Sequence, residues 1–346
     1  MKRIGFIYEK ILDIENIKMA IKMSSLGKRD KHFVKKIMNN VDYYSIEIQK
    51  MLIDKSYVPA PYNIKTIIDG SSKKERIIHQ PKYYPDQIIH WALILQIKDI
   101  FMRGMYAYTC GSIPKRGTSY GQKILRRWID TDYSGTKYCL KMDISKFYPS
   151  IDHVLLKESM RKIIKDKDCL WLLDTIIDSN DIGIPIGNYT SQWFSNYFLQ
   201  DLDHYIKEEL KVKYYVRYVD DLVIVGSNKR ELHKIKNKIK KYLFEKKLLL
   251  KGDWQVFHVD KRAIDFLGFR FFRNKTILRK RNALRIKRRI SKIFKKDSLS
   301  STDAMAIISY WGWIKRSNSY NFYNKNIKPK ISIQHAKNVI SYYAKQ

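Results

Sequence analysis

Two adjacent carboxylates, Asp220 and Asp221, stand between apolar β-prone runs in YYVRYVDDLVIVGS (Tyr214–Ser227). Neighbouring residues of a strand point to opposite faces, so the pair can converge only at a tight hairpin. Two like charges beside a buried strand gain nothing from folding, whereas a hard divalent cation offsets their repulsion and favours oxygen ligands. Taken alone, this stretch is equally an ordinary Asx-type turn. A third carboxylate, Asp143, closes a short apolar run in KMDISKFYPSID and enters an aromatic-rich turn. With Asp143 as third ligand and the Ile144 backbone beside it, the set suits two Mg²⁺ ions, with Mn²⁺ as a substitute. Such a pair drives in-line phosphoryl transfer: one ion lowers the pKa of an attacking hydroxyl and the other clamps a triphosphate and its leaving pyrophosphate. Asp152 is near in sequence, but its place at a helix start makes it an N-cap first.

The elements that must position these groups follow from periodicity. Residues 1–55 carry apolar positions at helical spacing. YNIKTIIDGSSKKERIIHQ reads as two strands around a polar tip, Asp69-Gly70-Ser71-Ser72. A helix is expected from Pro85 to Tyr106, a buried strand at 137–144, a turn at Pro149 and a helix from Asp152. The loop Asp181–Asn188 is punctuated by Gly183, Pro185 and Gly187, and one long helix is expected from Asn188 to Leu210. A basic helix spans about Lys229–Lys247, DFLGFRFFRNKTILRK supplies further strand pairs, and the remainder is helical. Lys275–Lys296 holds eleven Lys or Arg and no acid, with Ala283, Ile286, Ile290 and Ile293 forming an apolar seam opposite a basic face. No internal repeat or low-complexity linker interrupts the chain.

Composition narrows the partner. Among 346 residues, Lys+Arg number 68 against 34 Asp+Glu, a formal net charge of +34. An excess of this size repels itself unless a polyanion neutralises it, which points to nucleic acid. The Ile-, Asn-, Lys- and Tyr-rich composition is also what an AT-rich genome yields, so charge alone does not decide. At 45% hydrophobic residues the chain can build a core, and disorder is excluded. Three scattered cysteines, Cys110, Cys139 and Cys169, suit neither a disulfide framework nor a zinc knuckle and fit reduced cytoplasmic thiols. The first residues, MKRIGFIYEKILDIENI, lack the pattern of a signal peptide. No window approaches the roughly 18 apolar residues of a membrane span.

Asp143 with an aromatic five residues on, followed by the Tyr218-Val219-Asp220-Asp221 box, resembles the reverse transcriptase family, and the resemblance extends from about residue 60 to 325. Tyr218 favours that family over viral RNA-copying polymerases, which carry Gly-Asp-Asp at this turn. The resemblance implies an α+β right-hand polymerase: an N-terminal helical extension (1–60), fingers (61–136, with 154–185 interleaved), an antiparallel palm sheet backed by helices (137–272) and a basic helical thumb (273–346). By the same resemblance, Lys65 and Arg76 hold the incoming triphosphate, and Tyr148 is the steric gate against a 2′-hydroxyl, Phe147 being core. Lys115 and Arg116, in CGSIPKRGTSYGQ, would meet the template backbone. Gly268, in DFLGF, would allow close approach of the primer, and Arg285, Arg288 and Arg289 would grip a duplex. Trp311 and Trp313 read as core.

Family members generally have Gln-Gly and then Ser-Pro at the loop before the long helix. Here Ile186-Gly187 and Ser191-Gln192 stand instead, a pattern similar to the diversity-generating retroelement branch, whose enzymes misincorporate opposite adenine. Replacing a polar anchor by Ile186 beside the nucleotide, with Gln192 on the helix, should loosen geometric selection of the base pair. Simple helix capping by Asn188, Thr190 and Ser191 is the alternative account. The resemblance further implies template RNA, a primer, a cDNA strand and dNTPs as partners, and a small basic accessory-protein oligomer. Too few residues follow the thumb for a ribonuclease H or endonuclease domain. A retron or abortive-infection enzyme, and a non-catalytic RNA-binding scaffold, are the competing readings.

Overall fold

The computed structural model describes residues 3–68 and 75–345, so the expected polar tip Asp69-Gly70-Ser71-Ser72 lies outside the described residues. Among the described residues, ten strands are distributed over three sheets. β1 (Asn63–Ile68) and β2 (Glu75–Gln80) form a hairpin by themselves. β3 (Thr109–Cys110), β4 (Tyr138–Asp143), β5 (Tyr214–Tyr218), β6 (Asp221–Gly226) and β7 (Gln255–His258) make a five-stranded sheet in the order β3-β5-β6-β4-β7. β8 (Ile264–Phe266), β9 (Phe269–Phe271) and β10 (Thr276–Leu278) form the third sheet, which spans the expected palm–thumb boundary at 272/273.

The central sheet departs from the all-antiparallel expectation at one edge: β3 pairs with β5 in parallel, while β5, β6, β4 and β7 pair antiparallel. Two residues suffice for β3 because Arg217 N and Val219 N bond the carbonyls of Tyr108 and Cys110. The period of two sorts the strands' side chains into two cores. Leu140, Met142, Tyr215, Leu222 and Ile224 face the helices of the N-terminal half and the helix Lys229–Glu245. Cys139, Val216, Val223 and Val225 face the helix Thr118–Thr131, the third sheet and the C-terminal helices. Burial on both faces explains why these strands read as continuous apolar runs.

The helices follow their caps. Asp152, Asp166, Asn228 and Ser300 each accept a backbone N–H at a helix start. Asp152 also pairs with Lys247 at 2.7 Å, so it caps and does not reach toward the other acids. The helix expected from Asn188 to Leu210 is instead broken into Tyr189–Phe198, Gln200–His204 and a π-turn at Tyr205–Glu209. Capping at Asn188 is not what its side chain does: Nδ2 donates to the Tyr62 hydroxyl at 2.8 Å. Among the described residues no helix is long and apolar enough to cross a membrane.

Candidate active site

β4 and β6 run antiparallel with Asp143 directly opposite Asp221, and Tyr218 pairs with Asp221 across the other edge of β6. The connecting turn is therefore Val219-Asp220, and Ile144 N donates to the Asp220 carbonyl at 3.2 Å. Asp143 and Asp221 share a face by strand parity, so two segments distant in sequence bring three acids to one end of the sheet. Burial pushes the Asp220 carboxyl up to about 6, with Asp143 adding to the rise while Arg76 and Arg217 oppose it. Burial pushes Asp221 up to about 7; Lys141 opposes this, and Asp143 and Asp220 reinforce it. Lys141 Nζ lies 3.7 Å from Asp221 Oδ2, whereas Oδ1 is buried with no hydrogen-bond partner.

An unsatisfied carboxylate oxygen beside two further acids fits a divalent cation, which would supply the positive charge that burial denies. Among the described residues no three His, Cys, Asp or Glu side chains form a ready-made cation cage.

The acids open onto a cleft of about 910 Å³ that is also lined by Arg76, Ile144, Tyr148, Ile186, Tyr218, Gly268 and Arg285. Residues 68–271, more than half of the chain, match the family model described as reverse transcriptase (RNA-dependent DNA polymerase). The chain belongs to the reverse transcriptase family. Its mixed helix-and-sheet architecture is that of a right-hand polymerase. It is 24% identical to protein YkfC of Escherichia coli K12 over 47% of this chain and 46% of that protein. With the group II intron-encoded protein LtrA of Lactococcus lactis subsp. cremoris it shares 25% identity over 49% of this chain and 29% of LtrA. The retron Ec73 reverse transcriptase of E. coli is 32% identical over 30% of this chain and 36% of that enzyme. Each alignment thus spans less than half of the relative's own length.

Within this reverse transcriptase-family cleft, Tyr148 is half-buried and accepts a hydrogen bond from Ser195 Oγ at 3.4 Å, while Phe147 is buried in the core. Burial raises the Tyr148 hydroxyl above its ordinary pKa, opposed by the Ser195 bond. Lys65, exposed on β1, is not at the cleft wall; register places it on the same face of the hairpin as Arg76, two cross-strand pairs along.

Gly187 has a packing task within the fold. At φ +139°, an added Cβ would stand 2.2 Å from the His79 carbonyl oxygen, and Ile186 O accepts from His79 N at 2.8 Å. This glycine lets the loop seal against β2. Gln192 is exposed on the first turn of its helix and does not line the cleft. Lys115 is exposed, and Arg116 donates to the Tyr106 carbonyl at 3.1 Å, a tie within the fold.

The expected reason for Gly268, room for a primer, is not what the packing requires. Leu267 (φ +54°) and Gly268 (φ +81°) form the β8–β9 turn. A Cβ at Gly268 would lie 2.6 Å from Asn282 Nδ2 and 2.7 Å from the Trp313 ring, so protein packing demands the glycine. Arg285 reaches both the cleft and a second groove of about 640 Å³, which Arg288 and Arg289 line. Arg289 also pairs with the buried Asp303.

Sequence reasoning missed Lys141, Lys251, Arg279 and Arg217. Lys251 lines the cleft and bonds its backbone N–H to the Asp143 carbonyl at 2.9 Å. Arg279, paired with Asp265, counters the rise at Asp221. Arg217 is fully buried against Asp203. For Lys141 and Arg217 the available signal was a charged residue inside an apolar strand.

Proposed function

We propose that this chain is an RNA-directed DNA polymerase that extends a primer on template RNA by two-metal nucleotidyl transfer. The carrying observation is the register that sets Asp143 against Asp221 with Asp220 at the adjoining turn. Asp143, Asp220, Asp221 and the Ile144 backbone would hold two Mg²⁺ ions. When bound, these supply a deprotonated primer 3′-hydroxyl and charge neutralisation on the triphosphate. Arg76, with Lys65 behind it, holds phosphates as a bidentate donor from the hairpin. Tyr148 lies flat against the sugar and disfavours ribonucleotides. Arg285, Arg288 and Arg289 present a cationic stripe to the duplex backbone.

Within this class we place the chain with the error-prone enzymes of diversity-generating retroelements. Ile186, an apolar side chain at the cleft wall, supports that reading. In this reading a small basic accessory protein joins the complex on template RNA. The stretch shared with the retron Ec73 enzyme favours a retron as the second reading. Primer extension on an RNA template with dNTPs and Mg²⁺ tests the activity: loss in Asp220→Ala supports catalysis, and an inactive wild type that still binds RNA favours a scaffold. Sequencing the products tests the branch, and uniformly low error at all four bases removes the retroelement reading.

A further inference from the structure

The guanidinium of Arg217 has no exposure at all, and each of its five N–H donors has an acceptor. Nε and Nη2 form a bidentate pair with Asp203, at 2.8 and 2.6 Å. Nη2 also reaches the Asn196 carbonyl at 3.3 Å, and Nη1 reaches Asn196 Oδ1 at 3.2 Å. The remaining bond, from Nη1 to the Val219 carbonyl at 2.9 Å, leaves the network for the catalytic turn. Asp203 is held in turn by Tyr215 at 2.7 Å and Thr109 at 2.8 Å.

Val219 is the residue under strain. It sits at φ +58°, a region that β-branched side chains avoid. Its N–H bonds to Cys110 O at 3.2 Å and its carbonyl to Arg217, so the peptide planes on both sides are fixed. Beneath it, Gly111 leaves space that a Cβ would take from Val219 Cγ2, at 2.9 Å. Released, the Val219–Asp220 peptide would rotate toward ordinary dihedrals and carry the Asp220 carboxylate away from Asp143. A buried ion pair is weak evidence for stability, since apolar replacements of both partners are often tolerated. The bond to Val219 is the part of the network that an apolar pair cannot reproduce.

We propose that Arg217, set by Asp203 and Asn196, is a positioning residue that clamps the Val219 carbonyl and thereby aims Asp220 into the metal site. The proposal rests on the nucleotidyl-transfer reading above. It is tested by single-nucleotide addition with the full chain, comparing wild type, Arg217→Lys, the paired replacement Arg217→Met/Asp203→Leu, and that pair with Val219→Gly. Arg217→Lys keeps the charge opposite Asp203 and removes the fork that reaches Val219. Expected for both Arg217 variants is unchanged template–primer affinity and a kcat lower by about 100-fold, the scale of an ångström-sized misplacement. The KM for dNTP should move far less than kcat. Glycine adopts positive φ freely, so adding Val219→Gly to the pair should recover about tenfold in kcat. Wild-type kcat in a folded paired variant or in Arg217→Lys overturns the proposal, as does a loss confined to KM or the absence of any recovery by glycine. If the paired variant does not fold, Arg217→Lys decides by the same kcat criterion. An inactive wild type would instead sink the polymerase reading itself.

Discussion

The hairpin that carries Asp220 and the hairpin that carries Arg76 reach the same cleft with opposite support. β5–β6 lies inside a five-stranded sheet, buried on both faces, with its turn fixed from below by Arg217. β1–β2 stands alone as two strands, and Ile64, Ile68 and Ile77 are 63, 67 and 55% exposed. A lone hairpin is marginally stable in water, and this one is joined to the body where His79 N meets Ile186 O over Gly187. The groups proposed to hold metal are thus preorganised, while the arm proposed to hold phosphate can shift at small cost as substrate enters. The contrast matches the tasks: ligands of a cation tolerate little displacement, and a guanidinium that follows a triphosphate must move with it.

The largest effect should come from the rigid side. Asp143→Asn or Asp220→Ala should lower primer extension by at least about 10³-fold with RNA binding intact, since metal-borne charge stabilisation amounts to several kcal/mol. Gel-resolved extension beside a binding titration checks this. Gly187→Ala should loosen the seal between the arm and the loop that holds Ile186. Its strained dihedral and the 2.2 Å clash should cost about 1–3 kcal/mol, read as a fall in Tm together with a raised KM for dNTP. Arg76→Ala should raise that KM about tenfold, the value of one charge-assisted contact, with little change in Tm. On the exposed face of the arm, Ile64→Thr should shift stability by less than about 0.5 kcal/mol. A large fall there would mean that the face is covered, which would break the comparison.

Acidity separates the two sides as well. In metal-free protein the raised Asp220 and Asp221 pKa values mean that the folded state keeps protons that the unfolded chain has released. From the unfolded carboxylate range near 4 up to about 7, these two groups therefore make stability fall as pH rises. Asp221→Asn should remove part of that penalty, so its Tm advantage over wild type should grow between pH 4 and 7 and then level off. Excess Mg²⁺ should cancel the advantage, because wild type gains a bound ligand at the higher pH. A pH-independent difference would show that Asp221 is not titrating in this window.

Much of this was legible in the residues. Continuous apolar, β-prone runs around Asp220-Asp221 and before Asp143 gave the strands, and their convergence follows once β4 and β6 pair in register. The caps at Asp152 and the hairpin near residue 76 were equally readable. Register itself was not legible, because apolar runs buried on both faces carry no alternation to set it. That is why the parallel pairing of β3 went unforeseen, a two-residue strand being too short to show any period. The break at Leu199 was hidden for a related reason: helical spacing persists on both sides of it. Arg217 was overlooked because a charge in an apolar strand suggests an exposed edge, and its buried partner Asp203 belongs to another element. The packing demands on Gly187 and Gly268 were not legible, because His79 and Trp313 lie far from them in sequence.

The indole of Trp313, stacked on Phe269 with ring centroids 5.4 Å apart, lies over the Gly268 turn, whose carbonyl also takes bonds from Asn282 Nδ2 and Arg279 N, each at 3.0 Å. The ring closes the space over that turn from the helix Ser301–Lys315, while the basic helix meets the turn directly through Asn282. Positions 268, 282 and 313 should therefore drift together during evolution: a side chain gained at the first needs room from both of the others.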